Sequence, residues 1–166
     1  MKNYTRKVIH RLKTGRFQKY HLSVGVIKEN ADRKEGDINN AVLAYIQENG
    51  TNTIPPRPFM RSAFEAALDE VKLKNYDWGR YLDKLGKVSV KKMREEIYGG
   101  IPPPLADETL ELRLQNPDLS PLARSLTHEE ISARAMGAPH SMHAIPLIAT
   151  GQLYNSLGYT VEKTKI

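Results

Sequence analysis

The sequence predicts an α+β fold: a small antiparallel sheet packed against a long helix, with additional helices and a long loop insertion. Three features carry that expectation: an alternating run near the N-terminus, a second near the C-terminus, and between them stretches whose apolar residues recur at helical spacing. The 166 residues fit a single domain, residues 1–166.

Residues 1–16 form a basic N-terminal segment. Lys2, Arg6, Lys7, Arg11, Lys13, Arg16, Lys19 and Lys28 all precede residue 29, with no acid among them, so much of the net charge of +6 is concentrated there. A solvated arm or edge strand is the plain reading. Contact with DNA is the sharper one, and it nominates Lys2, Arg6, Lys7, Arg11 and Lys13 as contacts to DNA in a lumen or to an acidic partner.

From Tyr20 to Lys28, the residues Tyr20, Leu22, Val24 and Val26 alternate with His21, Ser23, Gly25 and Ile27, which predicts a strand over 18–28. Asp37 then stands where a helix N-cap belongs, ahead of Ile38, Ala41, Val42, Tyr45 and Ile46, and Asn49-Gly50 supplies a stop. A helix over 38–48 is expected. Residues 51–57 are barred from helix by their prolines. Pro58 is suited to be the first residue of a helix that carries Phe59, Met60, Ala63, Phe64, Ala67, Leu68 and Val71 and runs to about Lys74.

Residues 76–144 read as a helical and loop-rich insertion. Trp78, Tyr81, Leu82, Leu85, Val88, Val90, Met93 and Ile97 have helical spacing, with an interruption expected near Gly86 to Ser89. Gly99 to Pro104 is a stiff extended connector, and Asp107 is placed to cap a helix bearing Leu110, Leu112 and Leu114. Residues 117–144 are rich in Pro, Ser, His and Gly and read as loop, with a weak helical hint at Thr127 to Ala135. The C-terminal strand region, 145–163, opens on Ile145-Pro146-Leu147-Ile148 and a Thr150-Gly151 turn. A strand from Leu153 to Glu162 follows, an antiparallel partner for 18–28.

Composition excludes several chemistries. With no cysteine there are no disulfides, thiolate metal sites or cysteine nucleophiles. Val8-Ile9 is too short an apolar run for a signal peptide, and no stretch approaches the ~20 apolar residues of a membrane span. A soluble protein without membrane contact is expected.

Catalytic signatures are equally scarce. His140 and His143, with His128 upstream, would make a three-imidazole metal site only if the loop folded back, and Pro139 argues against helical presentation. Asp69-Glu70 and Glu95-Glu96 are neighbours that point about 100° apart on a helix and do not share a site. Gly99-Gly100 lacks the Lys-Ser/Thr of a phosphate loop. No enzymatic activity, metal or cofactor is expected.

Two segments stand out. Ile54-Pro55-Pro56-Arg57-Pro58-Phe59-Met60-Arg61 is a rigid ramp into a helix, suited either to subunit contact or to a buried helix start within one subunit. Ile145 to Leu157 is an apolar anchor, a turn and the lead into a strand. Pro55, Pro56, Arg57, Phe59 and Arg61 of the first, with Thr150, Gly151 and Leu153 of the second, are candidate subunit-interface residues.

Together and in this order, those segments resemble the tail-completion and neck proteins of long-tailed bacteriophages, in the virion-morphogenesis group. Members carry a strand, then a short helix ending in an acidic residue and Gly-Thr, here Gln47-Glu48-Asn49-Gly50-Thr51. An I-P-P-R-P-F motif then opens a long helix, and a P-L-I-D-T-G-Q-L-x-N-S-I signature precedes the final strand. Here Ala149 stands in place of the Asp and Leu157 in place of the last Ile, so a turn cap or polar contact supplied by that carboxylate is lost. The resemblance covers residues 20–75 and 145–163 well and 76–144 poorly. It implies a homo-oligomeric ring, hexameric as in the family, joining the head connector to tail tube or tail terminator proteins. The chain would then reside in the virion and, during assembly, in the host cytoplasm. Non-specific contact with packaged DNA is a further implication. The competing readings are a basic nucleic-acid-binding protein of phage or prophage origin and a metal-dependent hydrolase using the histidines.

Overall fold

A computed structural model describes residues 4–11, 17–27, 31–33, 38–73, 77–138 and 144–165, with residues 4–11, 17 and 165 described by backbone alone. Strands β1 (Tyr4–Arg11), β2 (Phe17–Val26) and β3 (Leu157–Lys165) form one antiparallel sheet in the order β1-β2-β3. The fold is α+β. β2 pairs with β3 in the register Leu22↔Val161, Val24↔Tyr159 and Val26↔Leu157, joining the two alternating runs as their patterns require. The N-terminal segment supplies the third strand. β1 runs along the other side of β2, with Arg6 opposite Leu22, Lys7 opposite His21 and Arg11 opposite Phe17.

Six helices accompany the sheet among the described residues: α1 (Asn40–Asn49), α2 (Met60–Glu70), α3 (Trp78–Gly99), α4 (Asp107–Gln115), α5 (Pro121–Ala135) and α6 (Gln152–Ser156). α3 packs on β2 and β3, and α2 packs on α3. Leu22, Val24 and Val26 from the sheet meet Leu82, Leu85, Met93 and Ile97 of α3 and Ala63, Phe64 and Ala67 of α2 in one continuous core. Leu105, Leu110 and Ala144 form a smaller cluster beneath α4 and α5.

Several expectations need correction. The long helix is α3, of 22 residues, whereas the helix opened by the proline ramp ends at Glu70 after 11. Pro58 lies outside that helix and Phe59 takes the N-cap position. α3 is also unbroken. Gly86 and Ser89 do not interrupt it because both sit on its buried face: the Ser89 hydroxyl donates to the Leu85 carbonyl at 2.7 Å, and Gly86 leaves room for a neighbouring ring. The cap of α1 is Asn39, whose side chain accepts from the Val42 N–H at 2.9 Å; Asp37 lies outside the described residues.

A further correction concerns residues 117–144, where α5 fills much of the expected loop. Ser120 caps it and Pro121 opens it. Its buried positions are Ala123, Thr127 and Glu130, a helical spacing written in small and polar residues. The Thr127 hydroxyl donates to the Ala123 carbonyl at 2.6 Å, and Glu130 meets Arg134 at 2.8 Å. The start of the last strand shifts as well, since Leu153 belongs to α6 and β3 begins at Leu157.

Candidate assembly surface

The first unusual segment is a tightly bonded junction between α1 and α2. Glu48, on the last turn of α1, is buried, and its carboxylate accepts from three backbone N–H groups: Phe59 at 2.8 Å, Met60 at 2.9 Å and Arg61 at 3.0 Å. These are donors that the start of α2 cannot satisfy within itself, and they carry the positive end of the helix dipole. The chain reverses between them at Gly50, whose φ is 72° and where a Cβ would stand 2.8 Å from the Ile54 carbonyl oxygen. The Thr51 hydroxyl accepts from the Ile54 N–H at 2.9 Å, and the Arg57 N–H returns to the Gln47 carbonyl at 2.6 Å.

Arg57 extends this junction. Its guanidinium donates from Nε and Nη2 to the Pro103 carbonyl, at 3.2 and 2.8 Å, clamping the ramp to the proline connector after α3. Burial pushes its pKa below the usual arginine value.

A second arginine organises the C-terminal segment. Arg113 of α4 is buried and donates to the carbonyls of Ile145 and Ile148, each at 3.0 Å, and to that of Pro146. Burial, and after it the charge of Arg57, pushes Arg113 down to about 10, so it stays charged at neutral pH. The Ala149 carbonyl accepts from the Ser120 N–H at 3.0 Å, fixing this segment to the start of α5.

The candidate interface residues therefore divide. Phe59 has no exposed surface, and Arg57 and Leu153 are 6% and 5% exposed, so all three act inside the subunit. Pro55, Pro56 and Arg61 are exposed, and Thr150 and Gly151 are half-buried along a cleft shared with Gln47. Arg6, Lys7 and Arg11 lie on β1, while Lys2 and Lys13 lie outside the described residues.

One group of exposed apolar side chains is on α1 and just before it, while Tyr98, Leu112, Leu122 and Met136 are exposed elsewhere. Ile38, Val42 and Tyr45 are 41%, 40% and 47% exposed; Val42 and Tyr45 share one face of α1 at i and i+3, and Ile38 precedes the N-cap. α1 buries Asn40, Ala41, Ala44 and Glu48 instead. Sequence reasoning grouped Ile38, Ala41, Val42, Tyr45 and Ile46 as the helix's apolar pattern, and of these Ala41 is buried while Ile38, Val42 and Tyr45 are exposed.

His128 is exposed on α5, and His140 and His143 lie outside the described residues. Among the described residues there is no group of three or more metal-ligating side chains, and no helix is long and apolar enough to cross a membrane. The adjacent carboxylates separate as their spacing requires: Glu70 pairs with Lys92 at 2.9 Å, and Glu96 accepts from the Ser62 hydroxyl at 2.6 Å.

Comparison with known proteins gives no match: no family model fits the chain, and neither a curated protein nor a solved structure is significantly similar to it.

Sequence reasoning missed Glu48 and Arg113 as organising residues. Each has a readable signal in hindsight. Glu48 shares the helix face of Ala41 and Ala44, and Arg113 sits between Leu110 and Leu114, so each is a charge within a buried stripe.

Proposed function

We propose that this chain is a structural subunit of a tailed-phage virion, acting at the head-tail junction by assembling into a ring that joins connector and tail. The observation that carries the reading is the exposed apolar pair Val42 and Tyr45 on α1, with the exposed Ile38 just before the helix, held by the Glu48 junction that leads to the exposed Pro55 and Pro56. Large apolar side chains grouped on one exposed helix face favour association with another surface. A heterologous contact of that kind closes into a ring when its rotation permits. The order and content of the two unusual segments, with their resemblance to neck and tail-completion proteins, supply the virion context. The basic β1 edge suits a wall facing DNA.

Light scattering across a concentration series, at low and moderate salt, tests this reading. A discrete ring-sized species at both salts is expected. A strict monomer that binds DNA with steep salt dependence would overturn it in favour of a free nucleic-acid-binding protein.

A further inference from the structure

A groove of about 630 Å³ lies between the C-terminal half of α3, α6 and β3. Its apolar lining is Val90, Tyr98, Tyr154 and Tyr159, and Tyr98 is 58% exposed. Its charged groups are satisfied within the subunit. Lys87 pairs with Asp83 at 2.8 Å, and Lys91 with Glu95 at 3.5 Å. Arg94 donates from Nη2 to the Leu157 carbonyl at 3.2 Å, and its guanidinium lies 5.5 Å from the centre of the Tyr154 ring. A charged occupant would have to break into these pairs, whereas an uncharged apolar one leaves them intact.

α1 offers such a surface. Glu48 is its only charged residue, and Glu48 is buried against the start of α2. The face that α1 leaves exposed presents Val42 and Tyr45 between the uncharged Asn39 and Asn49. No residue of α1 lines the groove of its own subunit.

We infer that the groove receives the α1 face of a second copy of this chain, Val42 and Tyr45 seating against Tyr98 and Tyr154, a contact that presupposes the ring reading and supplies its interface. A helix laid in an apolar groove by side chains one turn apart is a recurrent mode of recognition, and aromatic residues are favoured at such contacts. Each subunit then carries both halves of one heterologous contact. Head-to-tail addition of that kind continues until the rotation closes it, whereas α1 packed on α1 would stop at two subunits. The other exposed apolar side chains suit the groove less well. Leu112 stands one turn from the exposed Glu108 on α4, and Leu122 and Met136 lie at opposite ends of α5, so none is paired with another on one helix face.

The test is sedimentation of the full chain and two variants, alone and mixed. Val42→Ser/Tyr45→Ser removes the helix face and keeps the groove; Tyr98→Lys puts an ammonium into the groove and keeps the helix face. All three side chains are exposed, and melting curves check that both variants fold. Self-association of each variant alone should weaken by about tenfold or more. An equimolar mixture should form a two-chain species and nothing larger, because one intact groove then meets one intact α1. Association of Tyr98→Lys as strong as that of the unaltered chain, or a mixture that stays monomeric, would overturn the inference and leave a ring built through another surface. An unaltered chain that is monomeric up to about 1 mM would instead remove the ring reading, and this contact with it.

Discussion

The ring of Tyr159 on β3 lies against Gly86 in the middle of α3, so close that a Cβ on Gly86 would stand 2.2 Å from Tyr159 Cδ2. This approach brings the longest helix down onto the sheet. It also brings the Tyr159 hydroxyl within 2.8 Å of Asp83, which it donates to and which pairs with Lys87 at 2.8 Å. Gly86→Ala gains up to about 1 kcal/mol of helix propensity but overpacks the contact, so a net loss of about 1–3 kcal/mol is expected in urea unfolding. Unchanged or increased stability would mean that Tyr159 is not seated there.

The same cluster gives a pH dependence with a definite sign. Hydrogen bonds from Lys87 first and Tyr159 second hold Asp83 below the ordinary value of 3.8. The unfolded chain therefore takes up that proton before the folded one, and the stabilisation present at neutral pH is lost as pH falls below 3.8. Burial first, and the Asp83 hydrogen bond second, raise Tyr159 above 10.0, so stability also falls as pH rises past that value. Asp83→Asn should flatten the acid side of the unfolding free energy against pH. An acid limb identical to that of the unaltered protein would assign this slope to other groups.

Replacing Glu48 by Ala leaves three N–H donors at the start of α2 without their acceptor, and a loss of about 2–4 kcal/mol is expected. Glu48→Gln keeps one acceptor oxygen and should lose roughly half as much. Hydrogen exchange at Phe59, Met60 and Arg61 would show whether the effect is local.

Arg113→Leu fits the apolar surroundings in size yet orphans the carbonyls of Ile145, Pro146 and Ile148. A loss of about 3 kcal/mol or more is expected, with increased proteolysis within 144–151. A variant as stable as the unaltered chain would show that those carbonyls find other donors.

Val42→Ser with Tyr45→Ser tests the exposed stripe. Unfolding free energy should stay within about 0.5 kcal/mol, because neither residue is buried, while self-association is lost. Destabilisation without a change in association would make the stripe part of the subunit's own packing.

The parts of the fold that obeyed a simple period were readable from the sequence. β2 and β3 announced themselves by alternation, and α2 and α3 by their apolar stripes, because each buries large apolar side chains. α5 was hidden since its buried face is Ala123, Thr127 and Glu130, and polar residues satisfied by local bonds leave no apolar signal. Gly86 and Ser89 look like breakers only when the helix is considered alone; the sheet supplies the reason for the glycine. Phe59 and Arg57 were visible as unusual, but residue type does not say whether a docking side chain faces another subunit or its own, and here they face their own.

The most direct measurement is electron microscopy of particles released on lysis after the coding sequence has been deleted from its genome. Filled heads and separate tails that fail to join, with joining restored by supplying the protein in trans, are the expected result. Intact tailed virions without the protein, or no phage particles with or without it, would contradict a role at the head-tail junction.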